Sequence, residues 1–215
     1  MGNIMDYIEW RGDLPFTQSE FNDVDNLILA CFSYVNLDGI QEAASQNGIE
    51  LKALTEKFLQ LHTEKELKED KSFIRFAPFM MLEMAKTERF GQCVIRNYVN
   101  EIVAEEAQQF SAVEICLSDG TSYISFRGTD DTIVGWKEDF NLSTGVVPAQ
   151  ERAVEYLRRI AGSLQEMVRV GGHSKGGNLA VYGAVMCKEI HPWILQVYSN
   201  DGPGFSREFL ELPET

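Results

Sequence analysis

Met167–Tyr182, MVRVGGHSKGGNLAVY, decides how this chain folds. Val168 and Val170 alternate as in a buried strand, whereas Leu179, Ala180, Ala184 and Val185 recur at helical spacing directly afterwards. Between them Gly172-His173-Ser174-Lys175-Gly176 fits Gly-x-Ser-x-Gly. In that motif a serine on a sharp strand-to-helix turn presents its Oγ above a sheet, and only small residues two places to either side avoid a clash. A bare match is weak; strand, turn and helix in the required order give it weight. Two other readings of the same residues are a glycine-rich connecting turn and a phosphate cradle at a helix N-terminus. Neither Gly-x4-Gly-Lys-Ser/Thr nor Gly-x-Gly-x-x-Gly is present.

Downstream of this turn, Pro192 breaks the helical pattern and Trp193–Tyr198 reads as a further strand. Upstream, Val147-Pro148 opens an amphipathic helix through Ala153, Val154, Leu157 and Ile160. Before that comes a strand at Tyr123, Ile124 and Phe126, running out in Phe126-Arg127-Gly128-Thr129. Strand, helix, strand, helix, strand predicts parallel pairing with right-handed crossovers. The residues between 93 and 117 read as extended, at Val94–Ala104 and Ala112–Leu117, and Asp119-Gly120 turns the chain as in a hairpin.

Residues 1–90 form an N-terminal helical region packed on the core, and 91–215 carry the sheet. Val24, Leu27, Ile28 and Cys31 mark one amphipathic face; Leu51, Leu54, Phe58 and Leu61 mark another, after the Asn47-Gly48 turn. Glu64–Lys71 is a mixed-charge run, read as a solvated helix end or linker. Phe79, Met80, Leu82 and Met84 lie in the most apolar stretch. They are read as core packing, with an acyl-binding pocket as the alternative.

The chain has 215 residues, of which 44% are hydrophobic, enough to support a substantial core. Nineteen basic against 33 acidic residues leave a net charge of −14. That charge repels nucleic-acid phosphates and anionic lipid headgroups and favours neutral or cationic partners. The opening MGNIMDYIEWRGDLPF has neither a basic segment with an apolar core nor a run long enough to span a bilayer. The expectation is a cytoplasmic protein without a stable membrane anchor. Cys31, Cys93, Cys116 and Cys187 are widely separated; they are expected as free thiols, with no zinc site. No metal and no cofactor is called for.

FRGT at 126–129, the following Trp136-x-x-Asp139, and GGHSKGGNLA at 171–180 together resemble the class 3 lipase branch of the α/β-hydrolase superfamily. The resemblance is to an uncharacterised bacterial lipase-like family and extends to DVDNLILACFSYVNLDGI near the start and NDGPGF at 200–205. It implies an α/β-hydrolase-type, mostly parallel sheet with helices on both faces. It also implies a hydrolase of carboxylic esters, with Ser174 as nucleophile and with the backbone N–H groups of Thr129 and Lys175 as the oxyanion hole. Both groups fall at the C-terminal edge of neighbouring strands, where a carbonyl oxygen would gain negative charge. The expected partner is a small-molecule ester with an apolar acyl chain. Residues 130–147 occupy the position of a lid, with Ile133, Val134 and Trp136 as an apolar cover or as plain packing. Arg127 is read as holding this loop through Asp130 or Asp139, because its planar fork suits carboxylates.

A serine nucleophile needs a base, and in this fold the order is serine, acid, histidine. The only histidines are His62, His173 and His191. Alternation along a strand turns His173 away from the face that Ser174 serves. His191 closes the helix roughly 24 Å from the serine at 1.5 Å per residue, against a hydrogen-bond reach of about 3 Å. His62 lies on a mixed-charge helix before the sheet. Asp201 ends the strand after the elbow unit and is a candidate acid, with turn chemistry in Asn200-Asp201-Gly202 as the competing reading. The expectation is a sheet continued, and a histidine supplied, by sequence beyond residue 215, so that these residues alone do not turn over substrate. A non-catalytic hydrolase-fold module that binds a ligand or protein is the alternative function.

Overall fold

The computed structural model describes residues 2–69, 72, 74–103, 108–129 and 147–213. Helices α1 (Ile4–Arg11), α2 (Asp23–Phe32), α3 (Gln41–Ala44), α4 (Leu51–Leu61), α5 (Glu64–Glu69) and α6 (Phe76–Met84) come first, interrupted by the short strand β1 (Ile49–Glu50). Strands β2 (Val94–Val103), β3 (Gln108–Cys116) and β4 (Ser122–Phe126) follow. Helix α7 (Pro148–Ala161), strand β5 (Val168–His173), helix α8 (Lys175–Met186), strand β6 (Ile194–Asn200) and the short helix α9 (Arg207–Leu210) complete the described chain.

The strands form one six-stranded sheet in the order β1-β2-β3-β4-β5-β6. β1 to β4 pair antiparallel, and only β4-β5 and β5-β6 pair parallel. The expectation of a mostly parallel sheet is therefore corrected. It holds for the strands joined by α7 and α8, where a crossover helix permits parallel pairing. It fails for β2 to β4, where the connections are short; Gly120, at φ +80°, closes the β3–β4 hairpin. Helices cover both faces. One buried cluster sets Ile28, Phe32, Leu54 and Met80 of the N-terminal helices against Ile95, Val113, Ile115 and Tyr123. The other sets Ala153, Leu157, Ile160, Leu179 and Ala180 of α7 and α8 against Ala112, Ile124, Phe126, Val168 and Val170. Met80 and Met84 are buried in the first cluster, as core rather than as a pocket lining.

Local chemistry sets the helix starts. Asn3 and Asn22 cap α1 and α2, each in a reciprocal capping box with an aspartate three residues on. Pro148 opens α7, and the Gln150 side chain accepts the Val147 N–H at 3.1 Å.

Asp25 of α2 does more than cap. It is fully buried with Arg89, whose Nη2 lies 2.6 Å from one carboxylate oxygen and whose Nε lies 2.8 Å from the other. The same guanidinium donates to the carbonyls of Leu14, Ser19 and Glu20 and lies 4.0 Å from the centroid of the Phe16 ring. One cation thus organises the loop 12–22 and ties it to α2. Removing one member of a buried ion pair strands the other charge, at a cost of about 3–5 kcal/mol. Arg89→Met is expected to lower the free energy of urea-induced unfolding by about that amount.

Candidate active site

β5 ends in His173 and α8 begins at Lys175, so Ser174 is the single residue between strand and helix. Its backbone sits at φ 56°, ψ −130°, a region that residues with a Cβ seldom adopt. The Ser174 N–H donates to the Asn200 carbonyl at 2.8 Å, and the Ser174 carbonyl accepts from Gly177 at 2.9 Å. Close backbone approach explains the flanking glycines. A Cβ on Gly172 would lie 2.6 Å from the Phe126 carbonyl oxygen and would overlap Gly176, and one on Gly176 would lie 2.8 Å from the Phe126 carbonyl carbon. Strand β4, strand β5 and helix α8 are thus in backbone contact beneath the serine. Among the described residues nothing hydrogen-bonds the Ser174 hydroxyl.

Beneath the elbow lies a buried polar network that the sequence reading missed. Asn26 of α2 donates to Asn200 Oδ1 at 2.8 Å and accepts from Tyr123 at 2.7 Å. Asn200 in turn donates to the Gly172 carbonyl at 3.0 Å. Burial holds the Tyr123 hydroxyl well above its ordinary pKa, so it stays protonated and donates. Farther along α2, Ser125 of β4 donates to the Leu29 carbonyl at 2.8 Å and Ser33 donates to the Ala30 carbonyl at 2.7 Å. The signal was present in the sequence as polar residues at helical spacing, Asn26 within α2 and Ser33 just past its end, flanking the apolar run Leu27–Phe32.

Asn178 is the second residue missed. It is fully buried; its amide donates to the carbonyls of Pro203 and Gly204, both at 3.1 Å, and its oxygen accepts from Gln150 at 2.8 Å. The elbow helix thereby holds the loop after β6 and the first turn of α7. That loop carries Asp201, exposed and at φ 53°. It follows Asn200, the register partner of His173, so the loop lies on the serine's edge of the sheet.

None of the three histidines is poised on Ser174. His173 Nδ1 is 2.9 Å from the Tyr34 hydroxyl, on the side covered by α2. His191 lies in a 3-10 turn, Lys188–Trp193, beyond the end of α8 rather than on it, and its Nε2 is 2.8 Å from the Ala184 carbonyl. His62 follows α4 with its ring centroid 4.5 Å from that of Phe58. Thr129 and Lys175 are both buried. Arg127 Nη2 donates to Asn100 at 2.8 Å. Asp130, Asp139 and the lid residues Ile133, Val134 and Trp136 lie outside the described residues. Away from this edge, Glu114, Cys116 and Glu166 bring three possible metal-ligand atoms within 4.8 Å of one another. Arg96 already occupies that cluster, 2.7 Å from Glu114 and 2.5 Å from Glu166. Burial pushes the Cys116 thiol up to about 11, which disfavours the thiolate a metal would need.

A strand–serine–helix elbow at the C-terminal end of β5, in a mixed sheet with helices on both faces, defines an α/β protein. Residues 84–214 match the Mbeg1-like family, and the chain belongs to that family, which is lipase-like. Among curated proteins none is recognisably similar in sequence. Among solved structures, a crystal structure of M37 lipase aligns with a TM-score of 0.45 at 15% identity, over 83% of this chain. The chain spans 59% of the length of that lipase. No helix among the described residues is long and apolar enough to cross a membrane.

Each buried polar group left without a partner costs about 1–3 kcal/mol. Asn178→Leu strands the buried Gln150 amide and removes the bonds that hold the Pro203 and Gly204 carbonyls. It is expected to destabilise the fold by roughly 3 kcal/mol in urea titration, with hydrogen exchange accelerating in residues 201–205.

Proposed function

We propose that this protein hydrolyses carboxylic esters through an acyl-enzyme on Ser174. The observation that supports the reading best is the backbone of Ser174, held at φ 56° between β5 and α8, with no hydrogen bond to its hydroxyl among the described residues. In this reading Ser174 Oγ attacks the ester carbonyl carbon and its proton passes to a base. The carbonyl oxygen, now negative, is met by the N–H groups of Lys175 and Thr129. Collapse breaks the C–O bond and releases the alcohol, and water then repeats the sequence to free the acid. Asp201 is the acid of the constellation. This reading assigns the base to none of His62, His173 and His191, since each ring is engaged by another partner. The substrate is a small ester with an apolar acyl chain, and the net charge of −14 disfavours polyanionic partners.

That same orientation of the histidines favours a second reading, a non-catalytic module of hydrolase fold that binds a ligand or protein. A fluorophosphonate probe separates the two. Stoichiometric labelling that disappears in Ser174→Ala is the expected result. Wild-type protein that takes no label, or label that persists in Ser174→Ala, would sink the hydrolase reading and leave the binding module.

A further inference from the structure

Lys175 directly follows the serine, yet its side chain is among the largest fully buried ones described, at 1% exposure. Burying an ammonium is costly unless it is well bonded, and a chain needing only a backbone N–H at this position could use any apolar residue. The ammonium goes to a defined place: Nζ donates to the Gln109 carbonyl on β3 at 3.0 Å. Where Gln109 sits follows from strand register. Ala112 pairs with Phe126, and the Arg127 N–H continues that ladder to the Ser111 carbonyl at 2.9 Å. Continued two residues past that bond, the same antiparallel register would set Gln109 level with Thr129. One inter-strand spacing, about 4.8 Å, separates such neighbours. Lys175 therefore offers its own N–H at one side of the site while its side chain holds the strand that backs the Thr129 segment.

We propose that the Lys175 side chain is a positioning residue that fixes the separation between the two oxyanion-hole donors, the N–H groups of Lys175 and Thr129, by pinning α8 to β3 through Gln109. The proposal rests on the hydrolase reading and adds to it a residue whose side chain touches no reacting atom. The Lys175–Gln109 bond ties the helix that carries one donor to the strand that backs the other. Loss of that tether lets α8 and the 127–129 segment shift relative to each other, and a misplacement near 1 Å costs about 100-fold in rate at a preorganised site.

The phosphonyl oxygen of a fluorophosphonate occupies the oxyanion hole while Oγ bonds to phosphorus and fluoride leaves, so the labelling rate reports the geometry of the hole. Second-order labelling constants are measured for wild type, Lys175→Met and Lys175→Arg, with melting followed in parallel. Lys175→Met, which fills the same space without a donor, is expected to label Ser174 about 100-fold more slowly while still melting cooperatively. Lys175→Arg, which keeps a charged donor able to reach Gln109, should recover most of the rate. Should Lys175→Met lose cooperative melting, Lys175→Gln, too short to reach Gln109, carries the same expectation. A neutral variant that folds and labels within twofold of wild type overturns the proposal, and so does a loss of melting temperature with no change in rate. Absence of labelling in wild type is a different failure, since it removes the nucleophile assignment itself.

Discussion

Ser174 is held in a backbone conformation that costs a non-glycine residue on the order of 1–3 kcal/mol, and the surrounding structure is arranged so that no cheaper one is available. The strand before it is locked by parallel pairing on both sides, and its own N–H is taken by Asn200. The helix after it presses glycine backbone onto the end of β4. Relaxing the serine toward an ordinary strand or helix conformation would move α8 off the sheet, and with it Leu179 and Ala180 of the second core cluster. Strain at one residue is thus offset by burial spread over many, which is how a sparsely populated conformation persists in a folded protein.

Helix α2 supplies the other half of the constraint. It crosses beneath the C-terminal ends of the strands, and its contacts to β4 and β6 are polar as well as apolar: Asn26 to Asn200, and the Leu29 carbonyl from Ser125. Hydrogen bonds fix direction and register in a way that apolar contact does not. α2 is in turn anchored by Asp25 to Arg89, so the edge that carries the serine is braced from a loop far from it in the chain. The N-terminal helices are part of the platform on which the elbow is built.

The elbow, the parallel strands beside it and the amphipathic helices were legible in the sequence, because each depends on local spacing: glycines two places from a serine, alternation in Val168 and Val170, helical recurrence in α4 and α7. The antiparallel half of the sheet departs from the βαβ pattern of residues 123–198 because its strands are joined by short connections, of which only the Asp119-Gly120 turn is plain in the sequence. The Arg89–Asp25 pair and the Asn178 bridge were illegible for another reason. Their partners are 64 and 25 or more residues apart, and nothing local distinguishes a buried charge from a solvated one. Lys175 is the sharpest case: its burial depends on a carbonyl 66 residues away, that of Gln109.

The state of the hydroxyl at the centre adds a last step. Around it nearly every polar group is committed: Asn26, Asn178, Asn200 and Tyr123 each have partners at hydrogen-bonding distance, and the histidine next to it is taken by Tyr34. Buried polar networks of this kind rigidify what they surround. A serine needed only as a turn residue would gain from joining such a network, since an acceptor within reach stabilises by about 1 kcal/mol. Ser174 instead keeps a strained backbone and, among the described residues, an Oγ without a hydrogen-bond partner. That combination is costly for a connecting turn and supports the proposal that Ser174 is a nucleophile, for which the missing bond is the one a substrate and a base would complete.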